Sequence, residues 1–97
     1  MVRYVVLVSW TDKGIAGFKD STARAAKARE AAAKLGGKVV ELFWTIGPYD
    51  LTAIVEFPDD ESFTAWALGT GAGGNVRTTS LRAYDEAQFA KIAGRVG

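Results

Sequence analysis

The order of strand-like and helix-like segments is the feature that most limits how this chain can fold. Residues 3–10 are rich in valine and aromatic side chains, which is typical of a β-strand. Residues 38–46 and 51–57 show similar patterns on either side of a Gly-Pro-Tyr-Asp turn at 47–50, so we expect them to form a hairpin. Residues 75–84 supply a fourth strand.

Two helix-forming segments separate these strands. Residues 22–35 are alanine-rich, Asp20 or Ser21 is available as the N-cap, and a double glycine ends the helix. Its apolar stripe is small enough to lie close to a sheet and consists of Ala25, Ala28, Ala32 and Leu35. The second helix begins in the acidic segment 58–61, where negative charge is favourable, and stops at Gly69.

The remaining segments complete the element order. Residues 11–19 contain two glycines and are expected to form a loop or a broken turn of helix, and the glycine-rich residues 69–74 are expected to be a connector. Asp85 and Gln88 form a capping-box pattern that opens a terminal helix to about Ala93. The order β-α-β-β-α-β plus a C-terminal helix is that of the ferredoxin-like α+β fold, an antiparallel sheet with both helices on one face. A chain of 97 residues is expected to form one domain, residues 1–97.

Alternation along the strands predicts which residues face the helices. In the second strand, this set is Val40, Leu42, Trp44 and Ile46, and in the fourth it is Thr79, Leu81 and Ala83. The uncovered face is expected to carry a mixed set: Glu41, Phe43, Thr52, Ile54, Glu56, Arg82 and Tyr84.

The first strand is apolar on both of its faces. One face carries Tyr4, Val6, Val8 and Trp10, and the other carries Val5, Leu7 and Ser9. A strand of this kind is typically buried on both sides. A second copy of the chain is the simplest cover, so we expect a homo-oligomer that contacts itself through the open sheet face.

The composition argues against several classes of function. The chain has no cysteine and no histidine, which removes disulfides, thiolate zinc sites and the usual general base at neutral pH. A net charge of +1 argues against nucleic-acid binding. The N-terminal apolar run is far shorter than the about 20 residues of a membrane span and lacks a signal-peptide cleavage site. We expect a cytoplasmic protein with no membrane partner and no cofactor.

Several segments together carry a family resemblance, among them residues 10–15 (WTDKGI), 45–50 (TIGPYD) and 74–83 (GNVRTTSLRA). They resemble the GYD domain family over nearly the whole chain. The resemblance implies a ferredoxin-like domain of the dimeric α/β-barrel type, in a family with no established general activity. Many members have proline after the serine that matches Ser21, where this chain has Thr22, but Ser21 is still a good helix cap.

The first candidate site is expected at one end of the sheet. It combines Thr45, Tyr49 and Asp50 of the turn with Asn75 and Arg77 at the start of the fourth strand. Arg77 is suited to bind a carboxylate or phosphate, and Asp50 or Tyr49 to act as an acid or base where burial shifts its pKa. The alternative is structural: Asp50 accepts backbone N–H bonds in its own turn, and Arg77 pairs with a carboxylate.

The second candidate site is the polar cluster Glu41, Glu56 and Arg82, expected on the open face. Carboxylates suit a hard cation or a polar ligand, but two are too few to predict a metal site. The alternative is an ion-pair network between subunits. Residues 69–74 match G-x-G-x-x-G, but they follow a helix and open a strand, which excludes a dinucleotide site and favours a connector or an anion-binding loop.

Large aromatic side chains are numerous for a chain of this length: Trp10, Trp44, Trp66, Phe43 and Phe63. They are expected either to line an apolar ligand pocket between the second helix and the sheet or to form ordinary core. Trp10, at the end of the first strand, is placed to reach the mouth of such a pocket. Lys13 and Lys19 lie near it in sequence and would give that mouth a positive rim.

The sequence thus supports three functions. The leading one is a small oligomeric domain that binds a small anionic or aromatic ligand in a cavity beside the sheet. The second is a cofactor-independent enzyme of the dimeric α/β-barrel type that uses Asp50, Tyr49 or Glu56. The third is a structural assembly unit without a ligand.

Overall fold

The computed structural model describes all residues from Met1 to Gly97. In chain order, its elements are β1 (Val2–Trp10), α1 (Asp12–Ala16), a 3-10 turn (Phe18–Asp20), α2 (Ser21–Lys34), β2 (Lys38–Trp44), β3 (Leu51–Phe57), α3 (Asp60–Ala72), β4 (Val76–Ala83) and α4 (Glu86–Ala93). The strands form one antiparallel sheet in the order β2-β3-β1-β4. This confirms the predicted ferredoxin-like α+β arrangement with a C-terminal helix.

The core lies between α2, α3 and one face of the sheet, called the helix face below. Val6, Val55 and Phe57 of this face are fully buried, and Phe63 and Trp66 of α3 pack against them. The small-residue stripe of α2 faces the sheet as predicted, and its members in or against the core are Ala28, Ala32 and Leu35. None of the helices has the length and hydropathy that crossing a membrane requires.

Of the two glycine-containing segments, the first forms the short helix α1, which is one of the two forms expected for it. The second, which was expected to be a connector, is helical as far as Ala72. The Thr11 hydroxyl caps α1 by accepting a hydrogen bond from the Gly14 N–H, with 3.1 Å between nitrogen and oxygen. α3 continues past Gly69 to Ala72. A glycine inside a helix costs only about 1 kcal/mol relative to alanine, so it weakens a helix without ending it.

A bulge between Val39 and Glu41 changes the side-chain alternation of β2. Val39 and Leu42 pack against the core, whereas Val40, which was expected to face the helices, is exposed. A bulge inserts one extra residue, so the side chains before and after it no longer follow a single alternation between the two faces. A prediction that assumes strict alternation along the strand therefore assigns some of them to the wrong face. β2 also ends before Ile46, which is fully exposed in the turn.

The register of β4 reverses the two faces expected for this strand. Tyr4 lies opposite Arg82, and Val6 lies opposite Ser80. Directly opposite residues of an antiparallel pair share a face, so Arg82 lies on the helix face, while Leu81 is on the open face and half exposed. β4 is an edge strand with polar residues in both of its alternating sets, so hydropathy alone does not decide its orientation.

Gly14 is packed too closely against β4 for any side chain. A Cβ at Gly14 would overlap the carbonyl oxygen of Asn75, which also accepts the Thr11 N–H at 3.0 Å. We therefore predict that Gly14→Ala lowers the free energy of unfolding by about 2 kcal/mol. Gly69→Ala is the matched control, because a Cβ there meets no atom within 4 Å, and it should raise stability by up to about 1 kcal/mol.

Urea unfolding followed by tryptophan fluorescence measures both variants. Equal midpoints for Gly14→Ala and Gly69→Ala would show that α1 does not depend on its close approach to Asn75.

Candidate ligand-binding site

A cavity of about 390 Å³ lies between α2, α3 and the helix face of the sheet. Its interior is mainly apolar, and its lining includes Val8, Trp10, Ala28, Leu42, Ala53 and Trp66. Alanine side chains line the α2 side, and they fill less of the space above the sheet than longer side chains would. This volume lies within the range of about 300–1,000 Å³ that is typical of small-molecule sites.

Cationic side chains of α2 lie at the edge of this cavity. Arg24, Lys27 and Arg29 are among the residues that line it. Arg24 and Lys27 also line an adjoining polar recess, together with Asp20 and Asn75. Since the cavity and the recess share Arg24, Lys27 and Asn75, an apolar space and a charged one lie side by side.

Arg24 is held in place by the backbone before α2. Its guanidinium donates hydrogen bonds to the carbonyl oxygens of Gly14 and Gly17, each at 3.1 Å. A guanidinium carries five N–H donors, so others stay available for an anion. Neither Arg24 nor Lys27 forms an ion pair with a carboxylate of the chain. The edge of the cavity therefore carries two cationic side chains that form no direct ion pair within the chain.

The two tryptophans that line the cavity differ in their hydrogen bonding. Trp66 Nε1 donates to the carbonyl oxygen of Ala28 at 3.0 Å, which links α3 to α2. Trp10 Nε1 is buried and has no hydrogen-bond partner within the protein. Such groups are rare in folded proteins, because an unpaired buried donor costs about 1–3 kcal/mol.

Comparison with protein-family models tests the family resemblance that the sequence motifs suggested. The model of the GYD domain matches residues 4–93, nearly the whole chain. The chain belongs to the GYD domain family. Comparison with curated proteins finds no match.

Among solved structures, this GYD domain is similar to TTHA0845 from Thermus thermophilus. The two sequences are 28% identical, the TM-score is 0.55, and the alignment covers 88% of this chain and 95% of the other. The likeness supports the fold of this GYD domain.

The Gly-Pro-Tyr-Asp turn of this GYD domain ties the β2–β3 hairpin to the end of β1. Asp50 Oδ2 accepts the Trp10 N–H at 2.8 Å, and the Asp50 N–H donates to the carbonyl oxygen of Val8 at 2.8 Å. Within the turn, the Thr45 hydroxyl donates to the carbonyl oxygen of Tyr49 at 2.6 Å. The Asp50 carboxylate therefore accepts from the backbone of β1 rather than from that of its own turn.

The structure does not gather the rest of the first candidate site around Asp50. Arg77 is exposed on β4 opposite Ser9 and forms no ion pair, so it does not meet the carboxylate of Asp50. Lys13 Nζ donates to the carbonyl oxygen of Gly73, just after α3, at 3.1 Å. Asn75 is the member of this site that lines the cavity, and Trp10, which was proposed for the mouth of an apolar pocket, lines it as well.

The polar cluster expected on the open face is divided between the two faces of the sheet. Glu56 lies on the open face, where its carboxylate accepts from Arg3 at 2.8 Å. Arg82 lies on the helix face instead, and Glu41 is exposed without an ion pair. The chain holds no group of three or more carboxylates that could bind a metal ion.

Arg82 belongs to a different cluster, at the end of the helix face remote from Trp10. The Tyr4 hydroxyl donates to Asp60 Oδ1 at 2.5 Å, and Arg82 Nε lies 3.6 Å from the same oxygen. The hydrogen bond to the Asp60 carboxylate, followed by burial and the negative charge of Asp60, raises the pKa of Tyr4. The ring of Tyr4 also stacks on Phe63 at 3.6 Å, so this cluster joins β1 and β4 to the start of α3.

The sequence interpretation did not identify Arg24, Lys27 and Asp20 as site residues. It placed the positive rim at Lys13 and Lys19, neither of which lines the cavity. A signal for Arg24 and Lys27 is present in the sequence: each directly precedes a member of the alanine stripe of α2. Residues in such positions flank the buried face of a helix. Where small residues on that face leave a cavity above the sheet, long cationic side chains on the flank extend to its edge.

The geometry assigns Asp50 a structural role, which substitution can test. Asp50→Ala should lower the free energy of unfolding by about 2 kcal/mol, because it leaves the Trp10 N–H without its charged acceptor. Asp50→Asn should cost less, since the amide oxygen still accepts. Arg77→Ala should change stability by no more than about 0.5 kcal/mol.

Urea midpoints compare the three variants. A wild-type midpoint for Asp50→Ala would contradict the structural role and return Asp50 to the list of catalytic candidates.

Proposed function

We propose that this GYD domain binds a small molecule with an apolar body and an anionic head. The apolar body occupies the cavity between α2, α3 and the sheet, and the head lies at Arg24 and Lys27. The observation that carries the proposal is that these two cations line both the apolar cavity and the polar recess beside it.

The two parts of the site make different contributions. Transfer of apolar surface from water into the cavity is favourable by about 25 cal/mol per Å², so the body supplies most of the affinity. The cations fix the orientation of the ligand. A carboxylate or sulfonate finds charged hydrogen-bond donors at the mouth, whereas inside the apolar cavity it would lose water without gaining such donors.

The lining of the cavity favours binding over catalysis. No carboxylate and no tyrosine lines the apolar cavity, so it offers no acid or base of these types to a bound substrate. Asp50, one of the three catalytic candidates, uses its carboxylate to accept the backbone N–H of Trp10. An enzymatic function therefore has less support than a binding function.

We propose further that two copies of the chain associate through the open sheet face. Its apolar members on neighbouring strands are Val5, Leu7, Phe43, Ile54 and Leu81. Phe43 is 58% exposed and Leu81 51% exposed. Water contact with a continuous patch of this kind is unfavourable in a monomer, and a second identical face is complementary to it in polarity.

The size of the open face fits a modest dimer interface. Four strands about 4.8 Å apart and about seven residues long, at about 3.3 Å per residue, give a flat face of about 450 Å². Two such faces in contact bury a total of about 900 Å² when both are treated as flat. This is close to the about 1,000 Å² of buried surface expected of a specific interface, and protruding side chains would add to it. α4 adds to it: Asp85, its N-cap, lies 3.8 Å from Arg3 on this face, and Phe89 is 61% exposed.

Filling the cavity should abolish ligand binding. Ala28→Leu places extra side-chain volume in the cavity, whereas Ala26→Leu on the same helix adds it at an exposed position outside the lining. We expect anilinonaphthalene sulfonate, an aromatic anion, to bind the wild type and Ala26→Leu with a rise in fluorescence, and to bind Ala28→Leu at least tenfold more weakly.

N-phenylnaphthylamine, which has the same apolar body without the sulfonate, isolates the part played by charge. Arg24→Gln should weaken the sulfonate about fivefold or more and leave the uncharged probe unaffected. Equal losses for both probes, or unchanged sulfonate binding in Ala28→Leu, would contradict the proposed site.

The proposed dimer is tested by placing a charge on the open face. Phe43→Glu should dissociate the dimer, because it buries an unpaired carboxylate against a second apolar face. Phe18→Glu is the matched control: Phe18 is 55% exposed, against 58% for Phe43, but lies in the turn before α2. Sedimentation velocity should give a dimer for the wild type and Phe18→Glu and a monomer for Phe43→Glu, and a monomeric wild type would refute the interface.

A further inference from the structure

Three aspartates precede helices of this domain, and one of them does not act as a cap. Asp59 and Asp85 have extended backbones and accept the N–H of Ser62 and Gln88, the usual arrangement of an N-cap. Asp20 precedes α2 with φ −90° and ψ 1°, and its carboxylate makes no capping bond. The 3-10 turn that leads into α2 sets this backbone conformation, so the carboxylate of Asp20 is free for another partner.

That free carboxylate lines the polar recess at the mouth of the cavity, with Arg24, Lys27 and Asn75. It forms no ion pair within 4 Å with either cation. The side chains of Lys27 and Asn75 also make no hydrogen bonds within the chain, and Arg24 uses only two of its donors, on Gly14 and Gly17. The recess thus offers one acceptor group and several donors.

We infer that the recess accepts a zwitterionic head, with an ammonium group at Asp20 and a carboxylate at Arg24 and Lys27. The inference rests on the proposed function and names its ligand class: α-amino acids with an apolar side chain. A simple carboxylic acid at Arg24 and Lys27 would bring its negative charge into the recess that the carboxylate of Asp20 also lines, and like charges repel. An ammonium group on the neighbouring carbon turns that repulsion into attraction.

The shape of an α-amino acid matches the two adjoining spaces. Both charged groups are on the carbon that bears the side chain, so they can lie together in the recess while the side chain enters the cavity. Trp10 and Trp66 in the lining favour an aromatic or branched side chain. The class is therefore the aromatic and large aliphatic amino acids.

Three compounds with one apolar body test the inference: L-phenylalanine, phenylpropionate, which lacks the ammonium group, and phenethylamine, which lacks the carboxylate. Titrations followed by NMR chemical shifts measure weak affinities and report which residues respond. We expect L-phenylalanine to bind tightest, with shifts at Asp20, Arg24 and Lys27. The advantage over phenylpropionate should be about threefold to fivefold, the size expected of an exposed ion pair.

Asp20→Asn removes the charge and keeps the shape. It should remove the preference for L-phenylalanine over phenylpropionate and leave the affinity for phenylpropionate unchanged or slightly higher. Glu30→Gln is the matched control, because Glu30 is an exposed carboxylate of α2 outside both the cavity and the recess. It should keep the preference of the wild type.

The outcomes separate the inference from the proposed function. If phenylpropionate binds as tightly as L-phenylalanine and Asp20→Asn changes neither, the zwitterionic head is refuted while the anion site stands. If none of the three compounds shifts the resonances of the cavity, both the inference and the proposed function fail for ligands of this size.

Discussion

The indole of Trp66 is the contact on which the rest of the helix layer depends. It is nearly buried, packs against Phe57 and Phe63, and donates its N–H to the carbonyl oxygen of Ala28 at 3.0 Å. The α2 residues packed in or against the core near this contact are small, Ala28 and Ala32, so one large side chain from α3 spans the distance between the two helices. Because the side chains on α2 are small and Trp66 is the large side chain between the helices, space remains above the sheet, and that space is the cavity.

The residues that mark the family and the residues that form the candidate site are largely different. Asp50 and Thr45 of the Gly-Pro-Tyr-Asp turn hold the hairpin against β1. Gly14 and Asn75, in two further motifs of the family, allow α1 and β4 to approach closely. The cavity is instead completed by Arg24 and Lys27 on α2. Substitutions of Arg24 or Lys27 can therefore alter the mouth of the cavity without removing the hydrogen bonds of the turn.

Element order was readable from the sequence because it depends on local signals: valine-rich strands, capping aspartates and a glycine-containing turn. The faces of β2 and β4 were not readable in full. A single bulged residue in β2 places Val40 away from the helix face, and Arg82 faces the helices because β4 pairs with β1 in a register that hydropathy does not determine.

The candidate site was missed at Arg24 and Lys27 for a related reason: a charge on a helix flank becomes part of a site only where the fold leaves a cavity beneath it. Trp10 and Asn75 were identified because both stand at the ends of strands beside glycine-containing segments.

Native mass spectrometry of protein purified without denaturation, followed by the denatured mass of the same sample, tests the central claim that the cavity and its cationic mouth form a ligand site. It reads the number of chains and any retained small molecule together. The account predicts a dimer that carries a dissociable mass, or that gains one when an apolar amino acid or acid is added. A species that stays at the mass of the bare chains with every such compound would contradict the claim and favour a purely structural role for the domain.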